Sequence, residues 1–311
     1  MQPAIRALFV AGCAALLAGC AHDITRLSHD CEGAGGWCPQ AREVAGATWQ
    51  YAQLAQNAYW QNVDDRNRYV DRLYVLPPGV FERHASVDDR FGYAYSVYDR
   101  IDQNGRLREV VLAYRGTEGP KDWWHGTLLG RQGPRGLATY RHVRAALDAA
   151  GYDSVPVTLV GHSLGGRIAD HVTKRLRAEE GELPPVLSVY LFNPNAGGSL
   201  LAPLPTDREA PVRTAVSEQG EIAGWVRAAA IDRAWDGYVI DCQTTVDPIR
   251  RHYMRRLADC LTWIAATDDA DAAYSIGRNQ IAPPPVAAGI SAQGDPASQH
   301  DAARSAAAAG G

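Results

Sequence analysis

The sequence lacks long basic runs and the spacings with which proteins usually bind metal. Its densest basic patch is Arg250-Arg251 with Arg255-Arg256, and the net charge of the chain is −4. Because phosphate backbones are bound by clustered Lys and Arg, we expect no nucleic-acid partner. There is no Cys-x-x-Cys pair and no cluster of histidines, so we expect no zinc or other metal site and no cofactor.

The first residues also lack an apolar segment long enough to cross a bilayer. Arg6 precedes an apolar stretch over residues 7–17, shorter than the roughly 20 residues that a membrane-spanning helix needs. The stretch ends in Leu17-Ala18-Gly19-Cys20, which resembles the signal of bacterial lipoproteins, cut before the cysteine and acylated on it. By that resemblance residues 1–19 are a signal peptide and Cys20 carries a lipid anchor that holds the protein on a membrane of the bacterial cell envelope. Ala21 after the cysteine implies sorting to the outer membrane, and the alternative is ordinary cleavage without an anchor.

Few cysteines remain after this processing. Of the six in the sequence, one lies in the signal peptide and one would be acylated, which leaves Cys31, Cys38, Cys242 and Cys260. An even number in an oxidising compartment indicates two disulfide bonds. Three connectivities are open, and we favour the local pairs Cys31–Cys38 and Cys242–Cys260.

The rest of the chain divides into a tether, one domain and a tail. Residues 20–41 mix glycine with polar residues and are interpreted as the tether. In the domain, residues 42–267, short apolar segments alternate with amphipathic helical segments from residue 109 onward. This alternation predicts an α/β fold with a mostly parallel central sheet and helices on both faces. The tail, residues 268–311, is rich in Ala, Gly, Pro and Ser and is predicted to be disordered.

Hydrophobic periodicity and turn residues set the predicted elements within the domain. The helices are predicted at residues 42–60, 138–150, 167–180 and 251–266, and the strands at 91–101, 109–114, 157–160, 185–192 and 238–246.

One short motif indicates a nucleophile. Gly161-His162-Ser163-Leu164-Gly165 matches Gly-x-Ser-x-Gly, directly after an apolar strand and directly before a helix-compatible segment. A serine in that strand–turn–helix setting is the nucleophile elbow of an α/β hydrolase, and its flanking glycines let strand and helix approach closely. A tight structural turn is the alternative interpretation. The motif predicts an α/β-hydrolase fold with Ser163 as nucleophile.

A second motif precedes the first. Tyr114-Arg115-Gly116-Thr117 follows an apolar strand about 46 residues before the elbow serine. Together with Gly-His-Ser-Leu-Gly-Gly, it resembles the class 3 (fungal-type) lipases, whose members carry a Phe/Tyr-Arg-Gly-Thr/Ser segment there. By that resemblance Thr117 supplies one oxyanion-hole donor and the backbone N–H of Leu164 the other.

The base and the acid should follow the serine in the order acid, then histidine. His252 comes just after a strand end, whereas His300 lies in the predicted disordered tail, so His252 is the expected base. Asp247 stands in an Asp-Pro loop similar to the one that holds the triad aspartate of class 3 lipases, and Asp241 is the second choice for the acid. Only four residues separate Asp247 from His252, where the fungal members insert a longer segment.

The sequence therefore predicts a serine ester hydrolase, a lipase or esterase, acting on lipid esters through Ser163, Asp247 and His252. A phospholipase A1 would use the same residues. A further alternative is a non-catalytic envelope lipoprotein built on a hydrolase scaffold, because a fold by itself does not establish an activity.

Overall fold

The computed structural model describes residues 24–28, 31, 36–59, 73–86, 92–116, 126–180, 187–194, 213–222 and 236–285. Among them, eight strands form one sheet: β1 (Ile24–Leu27), β2 (Val80–Ala85), β3 (Tyr95–Ile101), β4 (Leu107–Tyr114), β5 (Val157–His162), β6 (Leu187–Phe192), β7 (Arg213–Glu218) and β8 (Asp236–Ile240). Their order across the sheet is β1-β8-β7-β6-β5-β4-β3-β2. The pairs β2–β3 and β3–β4 are antiparallel, and every other pair is parallel.

The described residues also contain six helices: α1 (Pro39–Asn57), α2 (Gly126–Ala149), α3 (Leu164–Glu180), α4 (Pro248–Arg251), α5 (Met254–Ala265) and α6 (Ala270–Asn279). The longer helices pack on two apolar cores, one on each face of the sheet. α1, α5 and α6 pack on one face of the sheet and α2 and α3 on the other. The predicted layers, a mostly parallel sheet with helices on both faces, are confirmed.

Strand β4 contributes buried side chains to both cores. Val111 and Ala113 point into the core under α1, whereas Val110, Leu112 and Tyr114 point into the core under α2 and α3. Alternate residues of a strand face opposite sides, so a strand between two helical layers must be apolar throughout. This is why the segment from 110 to 114 is an uninterrupted apolar run.

Three strands in the described part of the chain are missing from the sequence-based prediction: β1, which lies in the predicted tether, and the two strands β7 and β2. β7 has the sequence RTAVSE, and all six residues are buried although four of them are polar or charged. β2 has the sequence VFERHA with four consecutive exposed residues, because it forms the edge of the sheet. Neither carries the alternating or all-apolar pattern on which strand prediction depends.

The prediction that residues 268–311 are disordered is wrong for the first part of that range. Helix α6 begins after Asp269, whose carboxylate accepts hydrogen bonds from the backbone N–H groups of Asp271 and Ala272. The same carboxylate accepts a hydrogen bond from Trp49 Nε1 at 3.0 Å, and Ile276 is buried in the core under α1. The small apolar side chains Ala272, Ala273 and Ile276 are sufficient to hold this helix, because it packs against the core under α1. Residues 286–311 lie outside the described residues.

The predicted tether, residues 20–41, is also partly wrong. Ile24–Leu27 form the edge strand β1, which pairs parallel with β8, and α1 already begins at Pro39. Cys20 and the predicted signal peptide lie outside the described residues. No helix within the described ranges is both long and apolar enough to cross a membrane.

The disulfide bonds join the local pairs that the sequence favoured. Cys31 is bonded to Cys38, and Cys242 is bonded to Cys260. The second bond ties the loop after β8 to α5, and His252 lies inside the loop that it closes.

Candidate active site

The elbow serine lies where β5 meets α3. Ser163 has φ +54, a left-handed conformation that is strained for a residue with a side chain and typical of functional turns. A Cβ on Gly165 would lie 2.0 Å from the main-chain oxygen of Tyr114, and one on Gly161 would lie 2.2 Å from the carbonyl carbon of Gly165. Both glycines of the motif are therefore required by close packing between β4, β5 and α3.

The expected base meets this serine. His252 Nε2 lies 2.9 Å from Ser163 Oγ, within hydrogen-bond distance. The sequence predicts one helix over residues 251–266, but the structure divides it, with His252 ending α4 and Tyr253 preceding α5. The break lies at the carboxyl edge of the parallel strands, where an α/β sheet places its site.

The acid is Glu221. Its Oε2 lies 2.6 Å from His252 Nδ1, and the residue is only 1% exposed. Glu221 follows β7 after a turn at Gly220, whose φ is +70, and this turn directs the chain across the sheet edge toward His252. The backbone N–H of Ile222 then donates to Pro248 O at 3.1 Å, which joins this loop to the start of α4.

The prediction of Asp247 as the acid is wrong. Its carboxylate caps α4, accepting from the backbone N–H groups of Ile249 at 2.9 Å and Arg250 at 3.3 Å. An aspartate before Pro at the first helical position is a common way to begin a helix, and this role explains the Asp-Pro pair. The second choice, Asp241, accepts a hydrogen bond from Arg251 Nη1 at 2.8 Å instead.

A sequence signal for Glu221 exists, but it depends on β7. The acid of an α/β hydrolase follows the serine and precedes the histidine, and it stands after a strand of the parallel sheet. Glu221 satisfies both conditions once residues 213–218 are known to be a strand. The polar sequence of β7 concealed that strand and therefore Glu221.

The hydrogen bonds fix where the protons lie. A carboxylate only accepts, so the ring of His252 keeps a proton on Nδ1 and donates it to Glu221. In the neutral ring Nε2 then holds a lone pair that accepts the hydroxyl proton of Ser163. This is the arrangement in which a serine hydroxyl can lose its proton as it attacks.

A second charged group supports the segment that carries the base. The guanidinium of Arg251 donates to Asp241, to the main-chain oxygens of Gln219 and Gln243, and lies 3.4 Å from Glu218 Oε1. Through these contacts Arg251 joins the loops after β7 and β8 to α4. Glu218 is buried beside it, and burial is the main cause that raises the pKa of Glu218, to about 8.

The two expected oxyanion donors differ in what the structure describes. Leu164 is the first residue of α3, and the leading N–H groups of a helix have no partner within it. Its backbone N–H therefore belongs to the end of the helix that favours negative charge, next to Ser163. Thr117 lies outside the described residues. Within the described ranges, no group of three or more His, Cys, Asp and Glu side chains is arranged to hold a metal ion.

A comparison with protein families agrees with this architecture. A family model described as alpha/beta hydrolase fold matches residues 134–275, a range that includes Ser163, Glu221 and His252. The fold is that of an α/β hydrolase.

Solved structures similar to this chain include fungal lipases. The triacylglyceride lipase of Rhizomucor miehei matches with a TM-score of 0.42 and 16% identity, over 60% of this chain and 74% of that one. The lipase of Rhizopus microsporus var. chinensis matches with a TM-score of 0.44 and 16% identity, over 61% and 70% of the two chains. Lip2 lipase of Yarrowia lipolytica matches with a TM-score of 0.43 and 13% identity, over 70% and 81%. At these identities, and with TM-scores below 0.5, nothing about this chain is argued from the likeness, and no curated protein matches the sequence significantly.

Proposed function

We propose that this protein is a serine hydrolase that cleaves carboxylic esters of lipids. The observation that carries the proposal is the chain of hydrogen bonds from the Ser163 hydroxyl through His252 to Glu221, with distances of 2.9 and 2.6 Å. A hydroxyl, an imidazole and a buried carboxylate in this order form a catalytic triad, whatever the order of the residues in sequence.

The reaction follows from these positions. Ser163 Oγ attacks the ester carbonyl carbon while its proton passes to His252 Nε2, and Glu221 stabilises the resulting imidazolium. The oxyanion of the tetrahedral intermediate accepts the backbone N–H of Leu164 and, by resemblance to the class 3 lipases, a donor from Thr117. The intermediate breaks its bond to the alcohol oxygen, which takes the proton from Nε2. Water, deprotonated by His252, then attacks the acyl carbon; the bond to Ser163 Oγ breaks, the proton on Nε2 returns to Oγ, and the acyl group leaves as a carboxylic acid.

Two features support a lipid ester as substrate. The pair of motifs around Arg115 and Ser163 resembles that of the class 3 lipases. In addition, the segment that carries His252 exposes large apolar side chains: Val246 is 94% exposed, Ile249 41% and Tyr253 53%. Apolar side chains exposed beside a catalytic group are suited to contact an acyl chain. A phospholipase A1 would present the same triad and the same apolar segment.

Probe labelling and a substrate panel test the proposal. Purified protein is treated with a fluorophosphonate probe and assayed on short and long p-nitrophenyl esters, triacylglycerols and phospholipids. We expect labelling and ester turnover in the wild type and in Ser154→Ala, which changes an exposed serine, and neither in Ser163→Ala. The panel distinguishes a triacylglycerol lipase from a phospholipase A1. If the wild type is neither labelled nor active on any ester, the protein is a non-catalytic scaffold and the proposal fails.

We further propose that Cys20 is acylated and anchors the protein to a membrane of the bacterial cell envelope, with the outer membrane as the expected destination. The segment ending in Gly19-Cys20 supports this, because several acyl chains hold a protein stably on a bilayer. Cys20→Ser should move the protein from the membrane fraction to the soluble fraction. An unchanged distribution would contradict the anchor without affecting the proposed chemistry.

A further inference from the structure

The main-chain carbonyl of the base accepts hydrogen bonds from two side chains outside its own segment. His162 Nε2 lies 2.8 Å from His252 O, and Asn193 Nδ2 lies 3.3 Å from the same oxygen. His252 ends one short helix and precedes another. Its carbonyl points toward the ends of β5 and β6, where His162 and Asn193 lie.

His162 is tied to the site at both ring nitrogens. A carbonyl only accepts, so the proton of His162 Nε2 is donated to His252 O. In the neutral ring Nδ1 then accepts the hydroxyl of Tyr59, at 2.5 Å. Gly116 provides the space for that hydroxyl, because a Cβ there would lie 2.2 Å from it.

The same residue also contacts the catalytic ring directly. The ring centroids of His162 and His252 are 4.9 Å apart, with the planes tilted by 47°. His162 is 4% exposed and is the residue directly before Ser163. Through one hydrogen bond and one ring contact, it links the strand that directly precedes the nucleophile to both the backbone and the imidazole of the base.

Asn193 makes the corresponding link from the next strand. It is fully buried and has φ +40, in the left-handed region that asparagine tolerates better than most residues. Its backbone N–H donates to Val216 O at 3.0 Å, and its Oδ1 accepts the backbone N–H of Glu218 at 2.8 Å. The amide oxygen therefore binds β7, and the amide nitrogen donates to His252 O and also lies 3.5 Å from the main-chain oxygen of Arg251.

We infer that His162 and Asn193 are positioning residues that hold the His252 main chain so that its imidazole meets Ser163. The inference rests on the proposed function, since it concerns the same site. The hydrogen bond to Glu221 sets the orientation of the His252 imidazole ring. The donors from His162 and Asn193 instead fix the position of the His252 backbone, from which the ring extends. Both act through His252 and neither acts on the substrate.

A pair of variants at His162 tests the donor. In His162→Gln the amide nitrogen reaches about as far as Nε2 and can still donate to His252 O, whereas His162→Leu has no donor. A misplacement of about 1 Å in a catalytic group can lower turnover by roughly 100-fold, so we expect His162→Leu to lose about 10- to 100-fold in kcat with KM nearly unchanged. We expect His162→Gln to recover most of the loss. The rate at which a fluorophosphonate labels Ser163 should fall in parallel with kcat.

Asn193→Asp provides a second test that does not depend on the folding of His162→Leu. The aspartate keeps the acceptor for Glu218 N–H and removes the donor to His252 O, while Asn104→Asp makes the same change in an exposed turn and serves as control. We expect a selective loss of kcat in Asn193→Asp only. A wild-type kcat in both His162→Leu and Asn193→Asp, or an equal loss in His162→Gln and His162→Leu, would overturn the positioning role. Absence of turnover in the wild type would instead overturn the proposed function.

Discussion

Replacing Glu221 by glutamine should abolish most of the activity while leaving the shape of the site intact. The Glu221 side chain is fully buried and its Oε2 lies 2.6 Å from His252 Nδ1. A carboxylate there only accepts, so Nδ1 keeps its proton and Nε2 can take the proton of Ser163. The glutamine amide can turn its NH₂ toward Nδ1, which moves the ring proton to Nε2 and blocks the transfer.

The magnitude follows from that change of tautomer. In serine hydrolases the equivalent carboxylate-to-amide change lowers kcat by about 10⁴-fold, which corresponds to a barrier increase of roughly 5 kcal/mol. If the amide instead presents its oxygen, the negative charge that stabilises the imidazolium is still lost. We therefore expect Glu221→Gln to lower kcat on a p-nitrophenyl ester by about 10³- to 10⁴-fold, with little change in KM.

Asp247→Asn is the matched control. Asp247 caps α4 and its side chain is 44% exposed, and asparagine caps helices about as well as aspartate. We expect kcat within about twofold of the wild type and an almost unchanged unfolding midpoint. Steady-state kinetics of both variants, with thermal unfolding as the check on folding, completes the comparison. A large loss in Asp247→Asn together with wild-type activity in Glu221→Gln would refute the assignment of the acid.

Three further predictions concern stability. Gly165→Ala should lower the free energy of unfolding by about 3 kcal/mol or more, since its Cβ would lie 2.0 Å from a main-chain oxygen. Gly46 lies on an exposed face of α1, and a Cβ there would have nothing within 4 Å. Gly46→Ala should therefore raise the free energy of unfolding by about 0.5–1 kcal/mol. Burial raises the pKa of Glu218 to about 8. Between its ordinary pKa of 4.5 and about 8, the folded protein therefore keeps a proton on Glu218 that the unfolded chain releases. The folded state consequently loses stability relative to the unfolded chain as the pH rises through this range. Glu218→Gln removes that dependence, and its unfolding midpoint relative to the wild type should therefore rise between pH 5 and pH 8. Changing Cys242 and Cys260 to serine together should cost about 3 kcal/mol, the expected value for a bond across 18 residues.

Denaturant unfolding at fixed pH measures the glycine and cysteine variants, and thermal unfolding across a pH series measures Glu218→Gln. Equal stabilities of Gly165→Ala and Gly46→Ala would contradict the close packing of the elbow. A difference between Glu218→Gln and wild type that stays constant with pH would contradict the raised pKa. Full stability in the double cysteine variant would show that this bond does not constrain the unfolded chain as the loop-length argument requires.

The sequence-based prediction succeeded for the elements whose position in the fold imposes one clear pattern on their residues. Strands β4, β5 and β6 lie between two helical layers and must be apolar on both faces, so their runs are visible in the sequence. The Gly-x-Ser-x-Gly turn was equally visible, because backbone contacts at Gly161 and Gly165 exclude any side chain.

The sequence-based prediction missed Glu221 because its signal is not local. Strand β7 is buried, yet Arg213, Thr214, Ser217 and Glu218 make it look like a polar loop. The side chain of Glu218 is satisfied by backbone N–H groups of Cys242 and Gln243, partners that are 24 and 25 residues away in sequence. Asp247 was the stronger local candidate, but its neighbours specify a helix cap, and only the folded sheet edge brings Glu221 to His252.

The central claim is that His252 activates Ser163, and the rate of phosphonylation of Ser163 tests it most directly. Intact-mass spectrometry would follow the reaction of a small fluorophosphonate with wild type and His252→Ala, and peptide mapping would locate the adduct. We expect a single adduct on Ser163 in the wild type and a rate several orders of magnitude lower in His252→Ala. Equal rates in the two proteins, or an adduct on another residue, would contradict the central claim.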